Sequence, residues 1–242
     1  MSGKIVVYTG PMFSGKTTFL LSELEAARIS GEIRNRNSYV AIKPIIDRRY
    51  SDFRFDEEFG VYVGSIDSHS GNSIKCYGAE SFEDIYNLVK RIEERDGKLE
   101  IIGIDELNLF KGSPNEALEI LEYFSHGRNS RVFCAGLDTN YRGEPFSPIP
   151  EIMSIADEVY KRRAVCKICG SLEATRTQRL DLVDVKNGKP IYVPSPYDAE
   201  TIIVGGGLEE NKEKKNFPKH IYEPRCIAHH EVPGKPRRYW SF

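Results

Sequence analysis

Residues 4–18 read KIVVYTGPMFSGKTT, and the fold class follows from this stretch. The apolar run at 5–8 predicts a short buried strand, and an apolar pattern with helical spacing begins at Lys16. Between them, residues 10–17 match G-x-x-x-x-G-K-[ST], which binds nucleotide phosphates when it joins a strand to a helix. Its glycines let backbone N–H groups face phosphate oxygens, and the helix N-terminus adds partial positive charge. The stretch therefore predicts a nucleotide-binding α/β domain.

The positions of this loop have expected roles in binding ATP. Lys16 should reach the β- and γ-phosphates, and the hydroxyl of Thr17 should coordinate Mg²⁺. The alternative is a chance match, which the strand before the loop and the helix after it argue against. The predicted ATP-binding residues of the loop are Gly10, Pro11, Met12, Phe13, Ser14, Gly15, Lys16, Thr17 and Thr18.

Two acids follow another predicted strand, because residues 101–106 read IIGIDE. Ligands of open α/β sheets bind at the carboxyl ends of the strands. Asp105 is therefore the predicted Mg²⁺ ligand beside Thr17. Glu106, the next residue, is the candidate general base for an acceptor hydroxyl. Two alternatives remain open for Glu106: it polarises water in a hydrolase, or it is a solvated strand end.

Strands and helices alternate through the first 150 residues, which predicts a mostly parallel sheet. Residues 47–64 are predicted to form a loop. After residue 159, short apolar runs and frequent turn residues predict a small β-rich module. The other predicted strands are 39–42 and 131–137, and the predicted helices are 16–30, 81–96 and 113–125, the last two with serine caps.

Two pairs of residues share one spacing. Cys166 and Cys169 form C-x₂-C, and Cys226 and His229 repeat that spacing later in the chain. Three cysteines and a histidine from a β-rich module predict a structural Zn²⁺ site. His230 is an alternative fourth ligand with a poorer spacing, and an accidental second pair is the alternative to any site.

The whole chain has the composition of a globular protein. Its 242 residues are 40% hydrophobic, and the formal net charge is −2. The near-neutral charge predicts no nucleic-acid partner and no membrane partner. We find neither a signal-peptide core nor an apolar run of about 20 residues, so a cytoplasmic location is expected. The remaining cysteines, Cys76 and Cys134, are predicted to be buried small hydrophobic residues.

Several motifs in order resemble those of the type II (cellular-type) thymidine kinases. The loop sequence GPMFSGKT is that family's form of the phosphate-binding motif. Later stretches similar to family elements are 43–51 (KPIIDRRYS), 135–146 (AGLD to GEPF), 176–180 (RTQRL) and 222–226 (YEPRC). The resemblance implies a RecA-like P-loop ATP-binding domain at 1–158 and a small zinc-binding, β-rich lasso domain at 159–242.

The resemblance also implies an activity and residue roles. The activity is transfer of the ATP γ-phosphate to thymidine, with Glu106 as the base for the 5′-hydroxyl. Asp47 and Arg49 would lie near the phosphates and Mg²⁺, and Asn108 is a further predicted ATP-binding residue. The predicted nucleoside-binding residues, most of them in the lasso, are Met12, Tyr141, Thr201, Ile202, Ile203, Val204, Gly205 and Tyr222.

Assembly and regulation follow from the same resemblance: a homotetramer, inhibited by its end product dTTP. The sequence departs from the family at Leu107, Asn108 and Leu109, where a small residue, Gln and an aromatic usually stand. An insertion between residues 207 and 222 also bears on the geometry of the lasso. Two other functions stay open, namely a zinc-ribbon nucleic-acid-binding protein with a P-loop motor and a paralogue that binds nucleotide without turnover.

Overall fold

The structure is a computed structural model that describes residues 2–47, 53–67, 71–202 and 217–236. The chain forms two compact units. The first unit comprises 1–10, 15–138 and 146–162, and the second comprises 11–14, 139–145 and 163–242. Two short segments from the first 158 residues therefore group with the cysteine-containing part of the chain.

A mostly parallel sheet forms the centre of the first unit. Its strands are β1 (Lys4–Thr9), β2 (Tyr39–Pro44), β3 (Arg54–Asp56), β4 (Val61–Asp67), β5 (Ser73–Ala79), β6 (Ile101–Ile104), β7 (Arg131–Gly136) and β8 (Glu158–Lys161). Their order is β3-β4-β5-β2-β6-β7-β1-β8. The six strands from β5 to β8 in this order are parallel to one another. β4 pairs antiparallel with both β5 and β3. The predicted α/β class is confirmed.

Helices cover both faces of this sheet. They are α1 (Lys16–Ile33), α2 (Phe82–Asp96), α3 (Pro114–Glu122) and α4 (Ile149–Ile155). Alternate residues of β1 enter different cores, because Ile5 and Val7 pack with residues of α2, α3 and α4 while Val6 and Tyr8 pack with residues of α1. Burial on both faces explains the near-continuous apolar runs of the strands. None of the helices in the described ranges is long and apolar enough to cross a membrane.

The structure corrects the prediction for residues 47–64. Where a loop was predicted, β3 and the start of β4 form an antiparallel pair. All three residues of β3 are exposed, so this short strand at the edge of the sheet has no buried face to create an alternating pattern. An edge contact between the rings of Phe55 and Tyr62, 5.1 Å apart, joins the two strands. This cross-strand contact was not visible in the local sequence.

Other elements end differently or were not predicted. The α-helix predicted over 113–125 ends at Glu122, and a π-helical turn, Tyr123–Gly127, follows it. In this turn the Ser125 hydroxyl donates to the carbonyl oxygen of Leu121 at 2.8 Å. The sequence did not predict β5, α4 or β8. Because β8 pairs with β1, the first sheet extends past residue 158.

The second unit contains a three-stranded antiparallel sheet. Its strands are β9 (Arg176–Lys186), β10 (Lys189–Pro194) and β11 (His220–Arg225), in the order β10-β9-β11. Asn187 and Gly188 join β9 to β10 with positive φ at both residues, as a two-residue hairpin requires. A short 3₁₀ helix, Ile227–His229, follows β11. The small β-rich module predicted after residue 159 is therefore present.

Candidate functional site

The N-terminus of α1 differs from those of α2 and α3. Capping boxes at Ser81 and Ser113 cap the N-termini of α2 and α3. The N-cap residue of α1 is Gly15, which provides no side-chain hydrogen bond. The first turn of α1 also contains no acidic residue. Gly15 has a φ of 82°, a conformation that glycine adopts without strain. A helix N-terminus with no side-chain cap and no acidic residue in its first turn is suited to a phosphate group.

The rest of the phosphate loop has an unusual backbone. Gly10 has a φ of 133°, and Phe13 has a φ of 63° although it is not glycine. A conformation like that of Phe13 costs on the order of 1 kcal/mol and is typical of functional loops. Within the second unit, the backbone N–H of Met12 donates to the hydroxyl oxygen of Thr177 at 3.0 Å. Thr177, which is not among the predicted site residues, therefore holds the backbone of the loop at Met12.

Thr17 and Asp105 are in contact in the first unit. The Thr17 hydroxyl oxygen lies 3.2 and 3.3 Å from the two carboxylate oxygens of Asp105, although the residues are 88 positions apart. Asp105 follows β6 and is buried, as is Lys16 at the start of α1. A hydroxyl oxygen beside a carboxylate supplies the hard oxygen ligands that Mg²⁺ prefers. The structure thus brings together the two residues that were predicted to hold magnesium.

Glu106 has a left-handed backbone, with φ 49° and ψ 45°. It is the second residue after the end of β6 and directly precedes the 3₁₀ turn Leu107–Leu109. The conformation costs of order 1–3 kcal/mol for a residue with a side chain, and such residues cluster at active sites. The residue is half-buried. An ordinary residue after a strand does not require such a strained backbone. The conformation of the candidate base therefore points to a functional position.

Two more buried carboxylates follow strands that adjoin β6. Asp47 follows β2, and its Oδ2 lies 3.4 Å from Nζ of Lys43. Asp138 follows β7, and its Oδ2 lies 2.7 Å from Nζ of Lys161. Asp47 was a predicted site residue, but Lys43, Asp138 and Lys161 were not. The signal that identified Asp105, an acid just after a buried strand, also applies to Asp138 and was not used there.

Asn108, which was predicted to bind ATP, is bonded to the backbone. Its amide nitrogen donates to the carbonyl oxygens of Leu137 at 2.9 Å and Phe146 at 2.7 Å, and its amide oxygen accepts from the N–H of Leu137 at 2.7 Å. These bonds use both amide donors. The observed contacts therefore give Asn108 a structural role, and its contact with ATP stays a prediction.

The predicted metal ligands of the second unit form a cluster. The ligand atoms of Cys166, Cys169, Cys226 and His229 all lie within 4.8 Å of one another. Sγ of Cys169 is 3.9 Å from Sγ of Cys226, which in turn is 3.1 Å from Nδ1 of His229. Sulfur atoms on a tetrahedral zinc, with Zn–S near 2.3 Å, lie about 3.8 Å apart. The donor set and its dimensions therefore fit zinc.

His230, the alternative ligand, makes a different contact. Its Nε2 lies 2.8 Å from the carbonyl oxygen of Tyr141, so the ring donates to that oxygen. Burial is the main cause that lowers the pKa of His230, which favours the neutral ring. Between the two histidines, the structure places His229 in the cluster.

Cys166 of the second unit and the two cysteines of the first unit have opposite pKa shifts. In the cluster, burial acts to raise the pKa of Cys166, but surrounding backbone N–H groups outweigh it and lower that pKa to about 5. In the first unit, Cys76 and Cys134 are fully buried, and burial raises the pKa of each thiol to about 12. Metal ligation requires a thiolate. Cys166 is thus prepared for ligation, whereas Cys76 and Cys134 are the buried hydrophobic residues that the sequence predicted.

Tyr141 is the best-defined of the predicted nucleoside-binding residues. It is buried, and its hydroxyl lies 2.8 Å from the carbonyl oxygen of Pro196 and 3.0 Å from that of Ala199. The guanidinium of Arg179 lies over its ring, with Cζ 3.9 Å from the ring centroid. The hydroxyl and one face of the ring are therefore held by contacts within the second unit.

The other predicted nucleoside-binding residues are more exposed or are not described. Tyr222 lies in β11 opposite Arg179 of β9 and is half-buried. Thr201 is half-buried and Ile202 is 46% exposed. Four predicted site residues lie outside the described residues: Arg49, Ile203, Val204 and Gly205.

Two comparisons with known proteins agree with this site. A family model described as thymidine kinase matches residues 3–212. A thymidine kinase of Coprothermobacter proteolyticus is 37% identical over 233 residues, which cover 96% of this chain and 93% of that relative. The family-model match includes the phosphate loop, the acidic pair after β6 and the first cysteine pair.

Proposed function

The chain belongs to the thymidine kinase family, and we propose that it transfers the γ-phosphate of ATP to the 5′-hydroxyl of thymidine, giving dTMP. Family membership makes the chain an ATP-dependent kinase. The observation that carries the assignment of the chemistry is the contact between Thr17 and Asp105 at the carboxyl end of β6, directly before Glu106.

The proposed chemistry uses four side chains of the first unit. Lys16 interacts with the β- and γ-phosphates of ATP, while Thr17 and Asp105 hold the Mg²⁺ that accompanies them. Bound magnesium neutralises phosphate charge and orients the γ-phosphate. Glu106 accepts the proton of the 5′-hydroxyl as that oxygen forms its bond to the γ-phosphorus. The bond from the γ-phosphorus to the β,γ-bridging oxygen breaks, and ADP leaves.

Two ion pairs that follow the strands next to β6 are consistent with binding of a charged ligand. The carboxylates of Asp47 and Asp138 are each paired with a lysine, and the pair Lys43–Asp47 is almost fully buried. Buried ion pairs add little to stability on average, because desolvation offsets their attraction. This supports placing Asp47 in the surroundings of the phosphates, as the family resemblance implies; the same role of Arg49 is proposed from the resemblance alone.

The second unit is proposed to bind the nucleoside. Tyr141 and Tyr222 supply aromatic surfaces, and Met12, Thr201 and Ile202 supply further contacts with the base. A structural Zn²⁺ held by the four-residue cluster would stabilise the unit. Along the sequence, the boundary between the ATP-binding domain and the zinc-binding lasso domain stays proposed at 1–158 and 159–242, with Met12 and Tyr141 contributed to the nucleoside site from the N-terminal part of the chain. Inhibition by dTTP, a homotetrameric state and a cytoplasmic location complete the proposal on the basis of family resemblance.

The test is release of ADP by the purified chain with ATP and MgCl₂ in the presence of a panel of deoxynucleosides. We expect thymidine to stimulate ADP release, with one dTMP formed per ADP. Deoxyuridine, deoxycytidine and deoxyguanosine define the selectivity. If no nucleoside stimulates the reaction, the kinase assignment fails. Stimulation by single-stranded DNA in place of thymidine would instead favour a P-loop motor.

A further inference from the structure

The motif Arg176–Leu180 was recognised as a family element, but the proposed mechanism uses none of its residues. Three consecutive residues in it, Thr177, Gln178 and Arg179, are each at most 2% exposed. Consecutive strand residues point to opposite faces, so a strand buried at all three positions is packed on both sides. The contacts of these side chains show what the motif does.

Each of the three side chains binds a different segment of the second unit. Thr177 accepts from the N–H of Met12 in the phosphate loop. Gln178 exchanges two hydrogen bonds of 2.8 Å with the backbone of Glu231, two residues after the histidine of the metal cluster. Arg179 binds the segment 195–200 through its guanidinium.

Arg179 has the largest set of contacts. Its Nε donates to the Ser195 hydroxyl at 2.9 Å, and its Nη1 donates to the carbonyl oxygen of Glu200. Its guanidinium also lies over the ring of Tyr141. The hydroxyl of Tyr141 reaches the same segment, at the carbonyl oxygen of Ala199. Arg179 and Tyr141 thus fix one short stretch of backbone from two sides.

The charge of Arg179 is weakly compensated. The residue is fully buried, and its nearest carboxylate oxygen, on Asp181, is 3.7 Å from Nε. That oxygen also accepts from Ser195 and lies 2.9 Å from Nδ1 of His220. Among the described residues, Nη2 of Arg179 has no hydrogen-bond partner. A buried charge without a close counter-ion is costly to keep, so its presence at this position indicates a role beyond packing.

We propose that Arg179 is a positioning residue for the nucleoside. It holds the ring of Tyr141 and the backbone of 195–200, directly before Thr201, in one arrangement. This inference rests on the proposed function, because Tyr141 and Thr201 are its proposed nucleoside contacts. In this role Arg179 acts through Tyr141 and the backbone of 195–200 and not on a reacting atom. Its loss should therefore weaken the use of thymidine much more than the use of ATP.

Steady-state kinetics of Arg179→Lys and Arg179→Met test this role, with Arg163→Met as the matched control. Arg163 belongs to the same unit, is exposed, and pairs only with the exposed Glu173 in the described structure. Lysine retains the charge but loses the planar fork, so it should restore only part of the function. We expect KM for thymidine to rise roughly 10- to 100-fold in Arg179→Met, since small displacements of binding groups have effects of that size. KM for ATP should stay within about twofold of the wild-type value.

Two further measurements separate positioning from general loss of structure. Zinc content should be unchanged in both Arg179 variants, because none of the metal ligands contacts this side chain through a hydrogen bond described above. The effects of Arg179→Lys and Tyr141→Phe should be non-additive, since both act on the segment 195–200. Equal increases in KM for thymidine and ATP, loss of zinc, or unchanged kinetics would each overturn the proposal.

The failure of this inference can be distinguished from failure of the proposed function. If the wild-type chain phosphorylates thymidine and Arg179→Met changes KM for both substrates equally, only the positioning role is wrong. If the wild-type chain phosphorylates no nucleoside, the proposed function fails and the role of Arg179 fails with it.

Discussion

The two units differ in what stabilises them. The first contains two large apolar clusters on either side of a sheet, with residues such as Ile5, Leu24 and Ile102 fully buried. The second has a small apolar cluster of Ala164, Cys166 and Ala174, packed by Cys226. Its order comes instead from a metal-ligand cluster and from buried polar side chains bonded to the backbone.

This difference suits the tasks proposed for the two units. Phosphoryl transfer needs groups held rigidly, and a packed sheet provides that rigidity. A unit held by polar contacts and a metal can present backbone groups to a ligand, but it depends on each contact. Changes in the first unit should therefore affect turnover or packing, whereas metal removal should affect the second unit selectively.

The largest effect is expected from Asp105→Asn in the first unit. Loss of the carboxylate beside Thr17 weakens the magnesium site, so kcat should fall by roughly 100- to 1,000-fold. A higher Mg²⁺ concentration should be needed for nucleotide binding. The matched control in the second unit is Asp184→Asn, at an exposed carboxylate paired only loosely with Lys186. Similar kinetics for the two variants would remove Asp105 from the site.

Loss of a metal ligand should have the next largest effect, confined to the second unit. In Cys169→Ala, amides of β9, β10 and β11 should lose protection from hydrogen exchange, since structural zinc supplies folding free energy. Amides of β1, β6 and β7 should stay protected. Cys134→Ala, which removes a buried cysteine of the first unit, should leave β9 to β11 protected. Equal loss of protection in both units would contradict the difference between them.

Packing in the first unit should make Gly103→Ala moderately destabilising. A Cβ on Gly103 would lie 2.7 Å from Cδ2 and 3.0 Å from Cγ of the fully buried Leu24. Overpacking of this kind costs about 1–3 kcal/mol of unfolding free energy. Gly127→Ala is the control, because a Cβ there meets only ordinary contacts at 3.5 Å or more. Urea unfolding measures the free energy of unfolding of both variants. Equal values would show that the core around Leu24 accommodates an additional methyl group without overpacking.

The smallest effect concerns cysteine labelling between pH 7 and pH 9. Burial raises the pKa values of Cys76 and Cys134 to about 12, so both remain protonated thiols throughout this range. Their alkylation in the folded chain should be negligible and independent of pH. Cys166 is also buried, but its pKa is lowered to about 5, so it should react as a thiolate once a chelator removes bound metal and the cluster loosens. Mass spectrometry identifies the labelled residues; labelling of Cys134 before Cys166 would reverse the assignment.

Contiguous motifs made much of the chain predictable. The phosphate loop, the pair Asp105–Glu106 and the serine caps of α2 and α3 are local patterns, each with its own chemistry. The contact of Thr17 with Asp105 was also predictable, because strands of a parallel sheet end at the same edge. The cysteine pairs in the second unit were equally readable, since their spacing reports ligand geometry.

Contacts between distant, non-periodic residues could not be read in this way. The strand β3 is three residues long and fully exposed, so no pattern marked it. Arg179 lies in a strand, where a charged side chain normally indicates exposure, and its partners Ser195, Glu200 and Tyr141 are far away in sequence. The pair Lys43–Asp47 has helical spacing but joins the end of a strand to the turn that follows. Burial of these polar groups became visible only in three dimensions.

The most direct test of the account is the turnover of Glu106→Gln with saturating ATP and thymidine. Removal of the general base should lower kcat by about 100-fold or more, while ATP binding measured by calorimetry stays at the wild-type level. Glu122→Gln, at an exposed position of the same unit, should retain wild-type turnover. Nearly unchanged kcat in Glu106→Gln would contradict the assignment of acceptor activation to this residue.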